Sequence, residues 1–384
     1  MRGRFCCAVA NPTIKEIAIY FQENYQEYKT KIAKERRATM EKNKISRVCV
    51  TGGAGFIGCS LVKKLLEQGH TVHATLRNLE DASKVGLLKS LPNADTKLSL
   101  FQADIYDPNE FQPAIQGCEF VFHMATPMQH NNQSSQYKDT AEAAVAGVRI
   151  IAESCIRSQT VKRLIYTASI LAASPRREDG VGFKPCLDES CWTPLDVSPT
   201  YSTEFSMGYI ISKTLAERAV LSYNDIDNGK LEVVTLPCGL VGGETLLSYL
   251  SGSVGVVISQ LTRDLPSYNS LKLMQEVNGS VPLVHIEDVC QAHIFCMEQP
   301  SMRGRFCCAV SSMNIKEIAS YFQENYPEHK IAKEFFEGPE EGSKCDFSKL
   351  MKMGFEYKYG VKNILDDSVA SGRRLSWSSH SQLI

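Results

Sequence analysis

No stretch of this 384-residue chain stays apolar long enough to span a bilayer. The longest mainly apolar segment, 246–261, is broken by serines and glycines. An excess of one charge is also missing. The formal net charge is -1, so nothing in the balance draws the chain to nucleic acid or to an anionic membrane. Basic pairs such as Arg36-Arg37, Arg176-Arg177 and Arg373-Arg374 read as solvated surface. There are 14 cysteines but no Cys-x-x-Cys, so the thiols read as reduced and often buried, not as metal or redox pairs. The first residues carry charges and adjacent cysteines where a secretory leader needs an apolar core. The expectation is a cytoplasmic protein with no nucleic-acid partner and no membrane span. Its length suits one large α/β domain with an appendage, or two domains.

What is present is a strand, a glycine turn and a helix in succession. The run from Ile45 to Thr51 is followed by Gly52-Gly-Ala-Gly55-Phe56-Ile57-Gly58, and Ile57, Leu61 and Leu65 then recur at helical spacing. Gly52 suits a tight turn, Gly55 a close approach of backbone to a pyrophosphate, and Gly58 a close packing of helix on strand. An anion then meets the positive end of the helix. Gly52, Gly55, Phe56, Ile57 and Gly58 are therefore assigned to a dinucleotide.

A second strand, 71–76, ends at Arg77, which lies 19 residues past Gly58. An arginine there pairs with the 2′-phosphate of NADP, where an acidic residue would take the ribose hydroxyls of NAD. Lys84 adds a second positive charge, and NADPH is the expected cofactor. Strand 98–102 leads to Asp104 and Ile105, where a carboxylate can accept from an adenine amino group. Runs 120–125 and 161–169 complete five strands separated by helical patterns. The fold expected is a doubly wound parallel α/β sheet of the Rossmann type with a smaller C-terminal substrate-binding part.

One segment occurs twice. Residues 1–29 and 302–330 differ at only seven positions, and both begin Met-Arg-Gly-Arg-Phe-Cys-Cys-Ala-Val. Two distant copies do not make a solenoid. The second sits in a continuous strand and helix pattern, whereas the first is followed by a charged stretch and Met40. Residues 1–39 are thus expected to be an extra copy outside the core fold, with 40–236 binding the dinucleotide, 237–375 mainly binding substrate, and 376–384 forming a tail. Cys307-Cys308, with its flanks, reads as strand.

Tyr209 and Lys213 lie four apart in a helical segment, 207–223, and so share one face. A tyrosine ionises near pKa ~10 and becomes useful at neutral pH only with help, such as a nearby cation. Lys213 supplies the cation and can reach a nicotinamide ribose. Ser169 ends the fifth strand, on the sheet edge where ligands bind in open α/β folds. Ser169, Tyr209 and Lys213 are the catalytic candidates.

Together with Val121-Phe-His-Met-Ala-Thr-Pro127, Asp188-Glu-Ser-Cys-Trp192, Ser212-Lys-Thr-Leu-Ala-Glu217, Val284-His-Ile-Glu-Asp-Val289 and Gly354-Phe-Glu-Tyr-Lys-Tyr359, these residues resemble a known family. It is the extended short-chain dehydrogenase/reductases, in the plant dihydroflavonol reductase and anthocyanidin reductase branch, and the likeness runs from about Met40 to Leu375. The resemblance implies that Ser169, Tyr209 and Lys213 form the catalytic triad. It puts Arg77 and Lys84 on the 2′-phosphate, Asp104 and Ile105 by the adenine, Ala125 and Thr126 beside the cofactor, and Pro237 in the loop over the nicotinamide.

The sequence also departs from that branch. Ser174 stands where dihydroflavonol reductases usually carry an asparagine, and a hydroxyl cannot make the paired contacts of an amide. Ile170 puts bulk beside Ser169, and 206–213 lacks the Asn-Trp-Tyr-Cys-Tyr-Gly-Lys signature of cinnamoyl-CoA reductases.

His285, Asp288 and His293 read as a strand-to-helix corner and not as metal ligands. Segment 246–261 reads either as an apolar wall of the substrate cleft or as plain core helix. The function expected is hydride transfer from NADPH to a carbonyl or conjugated double bond of a phenolic, flavonoid-like substrate, by a monomer or weak dimer. Two alternatives stay open: a sugar-nucleotide epimerase or dehydratase on the same fold, and an inactive dinucleotide-binding regulator.

Overall fold

The computed structural model describes residues 45–127, 137–178, 182–226, 230–339 and 342–375. The duplicated segment 1–39 and the tail 376–384 lie outside them. The described residues from Ser46 onward form one compact unit. The first half runs β1 (Arg47–Thr51), α1 (Phe56–Glu67), β2 (Thr71–Leu76), α2 (Ala82–Lys89), β3 (Leu98–Gln102), β4 (Phe120–His123) and α3 (Thr140–Ser158). β5 (Arg163–Ser169), α4 (Glu204–Leu221), β6 (Glu232–Cys238), β7 (Leu240–Gly242), α5 (Leu265–Asn278) and β8 (Val281–His285) follow. The chain continues with α6 (Ile286–Glu298), β9 (Gly304–Arg305), β10 (Ser311–Met313), α7 (Ile315–Asn325) and α8 (Val361–Leu375).

Seven strands form one sheet in the order β3-β2-β1-β4-β5-β6-β9, and every pairing is parallel. Side chains alternate across it, so each strand serves two cores. From β1, Val48 and Val50 join Leu61 and Leu65 of α1 and Ile294 of α6 on one face. Cys49 joins Val148 and Ile151 of α3 and Ala216 of α4 on the other. Such two-sided burial explains why these strands read as continuous apolar runs. Strand order reverses between β1 and β4, and a doubly wound sheet opens its ligand crevice at that point, beyond the carboxyl ends of the strands.

The C-terminal elements form a third core around a small sheet, β10-β8-β7, packed with α5, α7 and α8. Segment 246–261 falls mostly here: Val254, Val257, Ile258 and Leu261 are buried in this cluster, while Tyr249 is exposed. The run expected as one strand from Arg305 to Val310 instead joins the two sheets. Only Gly304–Arg305 pairs as a strand with β6, Cys308 makes an isolated bridge to Cys238, and Val310 donates to the Leu283 carbonyl of β8. Extended alternation drives the change, because Phe306 and Cys308 bury in the first core while Cys307 and Ala309 bury in the third. All twelve described cysteines are free thiols, ten of them buried. Among the described residues no helix is long and apolar enough to cross a membrane.

Candidate active site

The turn after β1 is built by glycine. Gly52 has φ +68°, and a Cβ on it would lie 3.1 Å from the backbone of Ala125. A Cβ on Gly58 would lie 2.2 Å from the Gly52 carbonyl oxygen, so the helix could not approach the turn. The Gly55 N–H closes the turn on the Gly52 carbonyl at 3.0 Å. Helix α1 has no side-chain cap and no acidic residue in its first turn, which leaves its leading N–H groups to an outside anion. Phe56 and Ile57, its first two residues, pack against the first core. A dinucleotide pyrophosphate fits this cradle by shape and by charge.

Two residues overlooked in the sequence lock the cradle. The Thr51 hydroxyl accepts from the N–H groups of Met124 and Ala125, both at 3.1 Å, and bonds to His123 Nδ1 at 2.8 Å. With two donors entering Thr51 Oγ1, its own hydrogen goes to Nδ1, which assigns the imidazole proton to Nε2. Burial pushes His123 down to about 3, with the Lys213 charge adding to the fall, so the ring is neutral. The only signal in the sequence was a threonine ending a strand just before the glycines.

The other cofactor candidates spread along the same sheet edge. Arg77 is exposed beyond β2, near enough to Tyr106 for its charge to act on that phenol. Lys84 is paired with Asp81 at 2.9 Å, and Asp81 also caps α2, so this ammonium is shared with a carboxylate. Asp104 accepts from the Tyr106 N–H at 3.1 Å, and Ile105 is buried. The Ala125 backbone faces Gly52, and Thr126 donates to the Met124 carbonyl at 3.4 Å. Pro237 is corrected: it lies not in a loop but in β6, opposite Ala168 of β5, with its carbonyl accepting from Cys308 N at 2.9 Å. A proline is tolerated there because pairing with short β9 is intermittent on that side.

The three catalytic candidates converge at the carboxyl ends of β5 and β6. Helix α4 starts at a reciprocal cap, in which Thr203 accepts from Ser206 N at 3.1 Å and Ser206 Oγ accepts from Thr203 N at 2.8 Å. That start sets the face on which Tyr209 and Lys213 stand. Burial raises the Tyr209 pKa, a hydrogen bond from Ser169 pulls it back, and nearby Cys238 adds to the rise. Ser169 Oγ accepts from Leu171 N at 3.2 Å. Lys213 is buried and donates to the Thr167 carbonyl at 2.9 Å, with its Nζ 5.0 Å from the Tyr166 ring centre. Burial lowers it to about 8, opposed by Cys238 and Glu217.

The departures from the branch resolve into structure. Ser174 is fully buried, donates to the Val277 carbonyl and accepts from Arg176 N at 3.1 Å, so its hydroxyl is spent pinning α5. Ile170 is buried in the third core. His285 caps α6 and pairs with Asp367 at 3.2 Å, Asp288 accepts from the Lys358 and Tyr359 N–H groups, and His293 bonds Thr167 Oγ1 at 2.8 Å. Each of these three therefore has a structural partner.

Comparison with known proteins bears on family and fold. Residues 48–306 match the model of the NAD dependent epimerase/dehydratase family. An anthocyanidin reductase ((2S)-flavan-3-ol-forming) from Vitis vinifera is 36% identical over 322 residues, covering 84% of this chain and 93% of the grape protein. A dihydroflavonol 4-reductase from Dianthus caryophyllus is 34% identical over 328 residues, covering 85% of this chain and 87% of that one. The crystal structure of vestitone reductase from alfalfa (Medicago sativa) superposes with a TM-score of 0.69 at 33% identity, covering 85% of this chain and 98% of that chain. The chain belongs to the NAD dependent epimerase/dehydratase family, within its extended short-chain dehydrogenase/reductase members.

Proposed function

We propose that this protein reduces a phenolic, flavonoid-like metabolite with NADPH, at a carbonyl or a conjugated double bond. The similarity to an anthocyanidin reductase, a dihydroflavonol reductase and a vestitone reductase supports the substrate class. The observation that carries the chemistry is the meeting of Ser169, Tyr209 and the buried Lys213 at the end of β5, with Ser169 close enough to act on the Tyr209 phenol and Lys213 bonded to the Thr167 carbonyl. The nicotinamide, when bound, supplies a hydride. Tyr209 donates the proton, because burial keeps its phenol neutral. Ser169 flanks the substrate oxygen from the strand end. Lys213 offers its ammonium to the nicotinamide ribose.

Arg77 favours NADPH over NADH, since its exposed guanidinium at the end of β2 can fork onto a 2′-phosphate. Lys84 joins it by exchanging Asp81 for the phosphate. Residues 40–236 serve the dinucleotide and 237–375 mainly the substrate. With Ser174 spent on α5, the amide contact of dihydroflavonol reductases has no counterpart here, which favours an anthocyanidin-like substrate over a dihydroflavonol. We also propose a cytoplasmic protein, monomeric or weakly dimeric, in which residues 1–39 are dispensable.

The test is NADPH consumption by the purified chain against anthocyanidins, dihydroflavonols, isoflavanones and simple aldehydes. Turnover with an anthocyanidin, exceeding that with a dihydroflavonol, is expected. Conversion of a sugar nucleotide with no net coenzyme oxidation would replace this proposal with an epimerase.

A further inference from the structure

Glu217 lies two turns past Tyr209 and one past Lys213 on α4, and none of it is exposed. Its carboxylate accepts from Thr235 Oγ1 of β6 at 2.7 Å and from Arg305 Nε and Nη2 of β9 at 2.9 and 3.0 Å. Arg305 is itself only 5% exposed. Its remaining donors go to the carbonyls of Ala172 at 3.0 Å, Glu189 at 3.2 Å and Cys191, and its guanidinium lies 3.8 Å from the Trp192 ring centre. Ala172 ends the single turn, Ile170–Ala172, that follows Ser169. One side chain thus touches the serine's turn, the 189–192 loop and the helix of the tyrosine and lysine.

We propose that the Arg305–Glu217 pair is a positioning device for the active site: the guanidinium holds Ser169 and the Tyr209–Lys213 helix in one register, and the carboxylate supports the charge on Lys213. A buried ion pair contributes little net stability over an apolar pair of like volume, so packing alone does not account for it. The groups facing Lys213 are Tyr166 and the Thr167 carbonyl from β5, His123 from β4, Cys238 from β6, and Tyr209 and Glu217 on its own helix. Glu217 is the carboxylate in that set, and it opposes the fall that burial imposes on Lys213. Burial in turn raises Glu217, and Arg305 is the first influence against that rise. The proposal rests on the reductase proposal in that Lys213 is taken to hold the nicotinamide ribose.

The experiment uses the full chain and three variants, Glu217→Gln, Arg305→Lys and the double Glu217→Gln/Arg305→Met, which buries no unpaired charge. NADPH fluorescence titrations across pH 6 to 10 give the pH at which coenzyme affinity falls. In the parent that midpoint is expected near the Lys213 value of about 8. In Glu217→Gln and in the double variant it moves down by about one pH unit. Arg305→Lys keeps the charge but loses the fork, so its midpoint stays while kcat falls at least tenfold. An unchanged midpoint in the double variant overturns the proposal, as does full kcat in Arg305→Lys. Should Glu217→Gln not fold, the double variant carries the same readout. If no flavonoid is turned over, the reductase proposal fails, and the coenzyme titration still decides this one.

Discussion

A phenol donates a proton at neutral pH only while it stays protonated, and burial holds Tyr209 in that form. Replacing it with phenylalanine removes the donor and little else. Tyr209→Phe is therefore expected to lower kcat by about 10²- to 10⁴-fold with the NADPH dissociation constant within about twofold of the parent, checked by steady-state kinetics and fluorescence titration. Arg77→Ala is expected to weaken NADPH binding by about 10- to 100-fold and to leave NADH binding unchanged, because a charge-assisted contact worth about 1.5–3 kcal/mol is lost only where the 2′-phosphate exists. Equal losses for both coenzymes would separate Arg77 from the phosphate.

Tyr209 and Lys213 were legible because an i, i+4 spacing is helix geometry, and Ser169 because a strand end is a position in the sequence. Arg305 and Glu217 were not. They are separated by 88 positions and meet only when the sheet closes. Ser174 was legible as an absence of amide chemistry, but its role in pinning α5 needed the fold.

Individual strands were readable because each is short, apolar on both faces and bounded by turns. β1, β2, β3 and β5 fall where their runs of β-branched and apolar residues place them. The segment after Gly304 was not, because an extended run that feeds two cores looks the same in sequence as one that stays in a single sheet. Pro237 was taken from a loop into a strand for the related reason that pairing beside an interrupted edge tolerates a missing donor.

The glycine turn offers an element-scale contrast. A Cβ at Gly58 strikes the Gly52 carbonyl at 2.2 Å, whereas one at Gly55 meets the same atom at 3.4 Å. Gly58→Ala is expected to lower both the melting temperature and NADPH affinity. Gly55→Ala is expected to keep the melting temperature within a few degrees while NADPH affinity falls, since the added methyl occupies the approach to the phosphate and not the seat of the helix. Calorimetry and coenzyme titration on the two variants check this.

At the scale of the molecule, two buried neutral histidines tie layers together. His123 joins the ends of β1 and β4 through Thr51, and His293 of α6 holds Thr167 of β5. Burial lowers them to about 3 and about 4, from an ordinary value of 6.5. Both are depressed, so the unfolded chain takes up protons first as pH falls. Their contribution is intact above pH ~6.5 and is lost progressively toward pH ~4. At about 1.4 kcal/mol per unit for each group, roughly 5 kcal/mol disappears between pH ~6.5 and ~4.5, a large share of a typical domain's stability. The melting temperature should stay level from pH 8 to 7 and fall steeply below pH 6. A level value down to pH 4.5 would contradict neutral burial of these rings.

Following the hydride tests whether NADPH reduces a flavonoid while Tyr209 protonates it. The most direct measurement supplies NADPH carrying deuterium at the transferred nicotinamide position and weighs the product of an anthocyanidin by mass spectrometry. With the parent chain one deuterium is predicted for each NADPH oxidised, hence two per molecule where an anthocyanidin becomes a flavan-3-ol, and almost none over the same time with Tyr209→Phe. A product free of deuterium would contradict the claim.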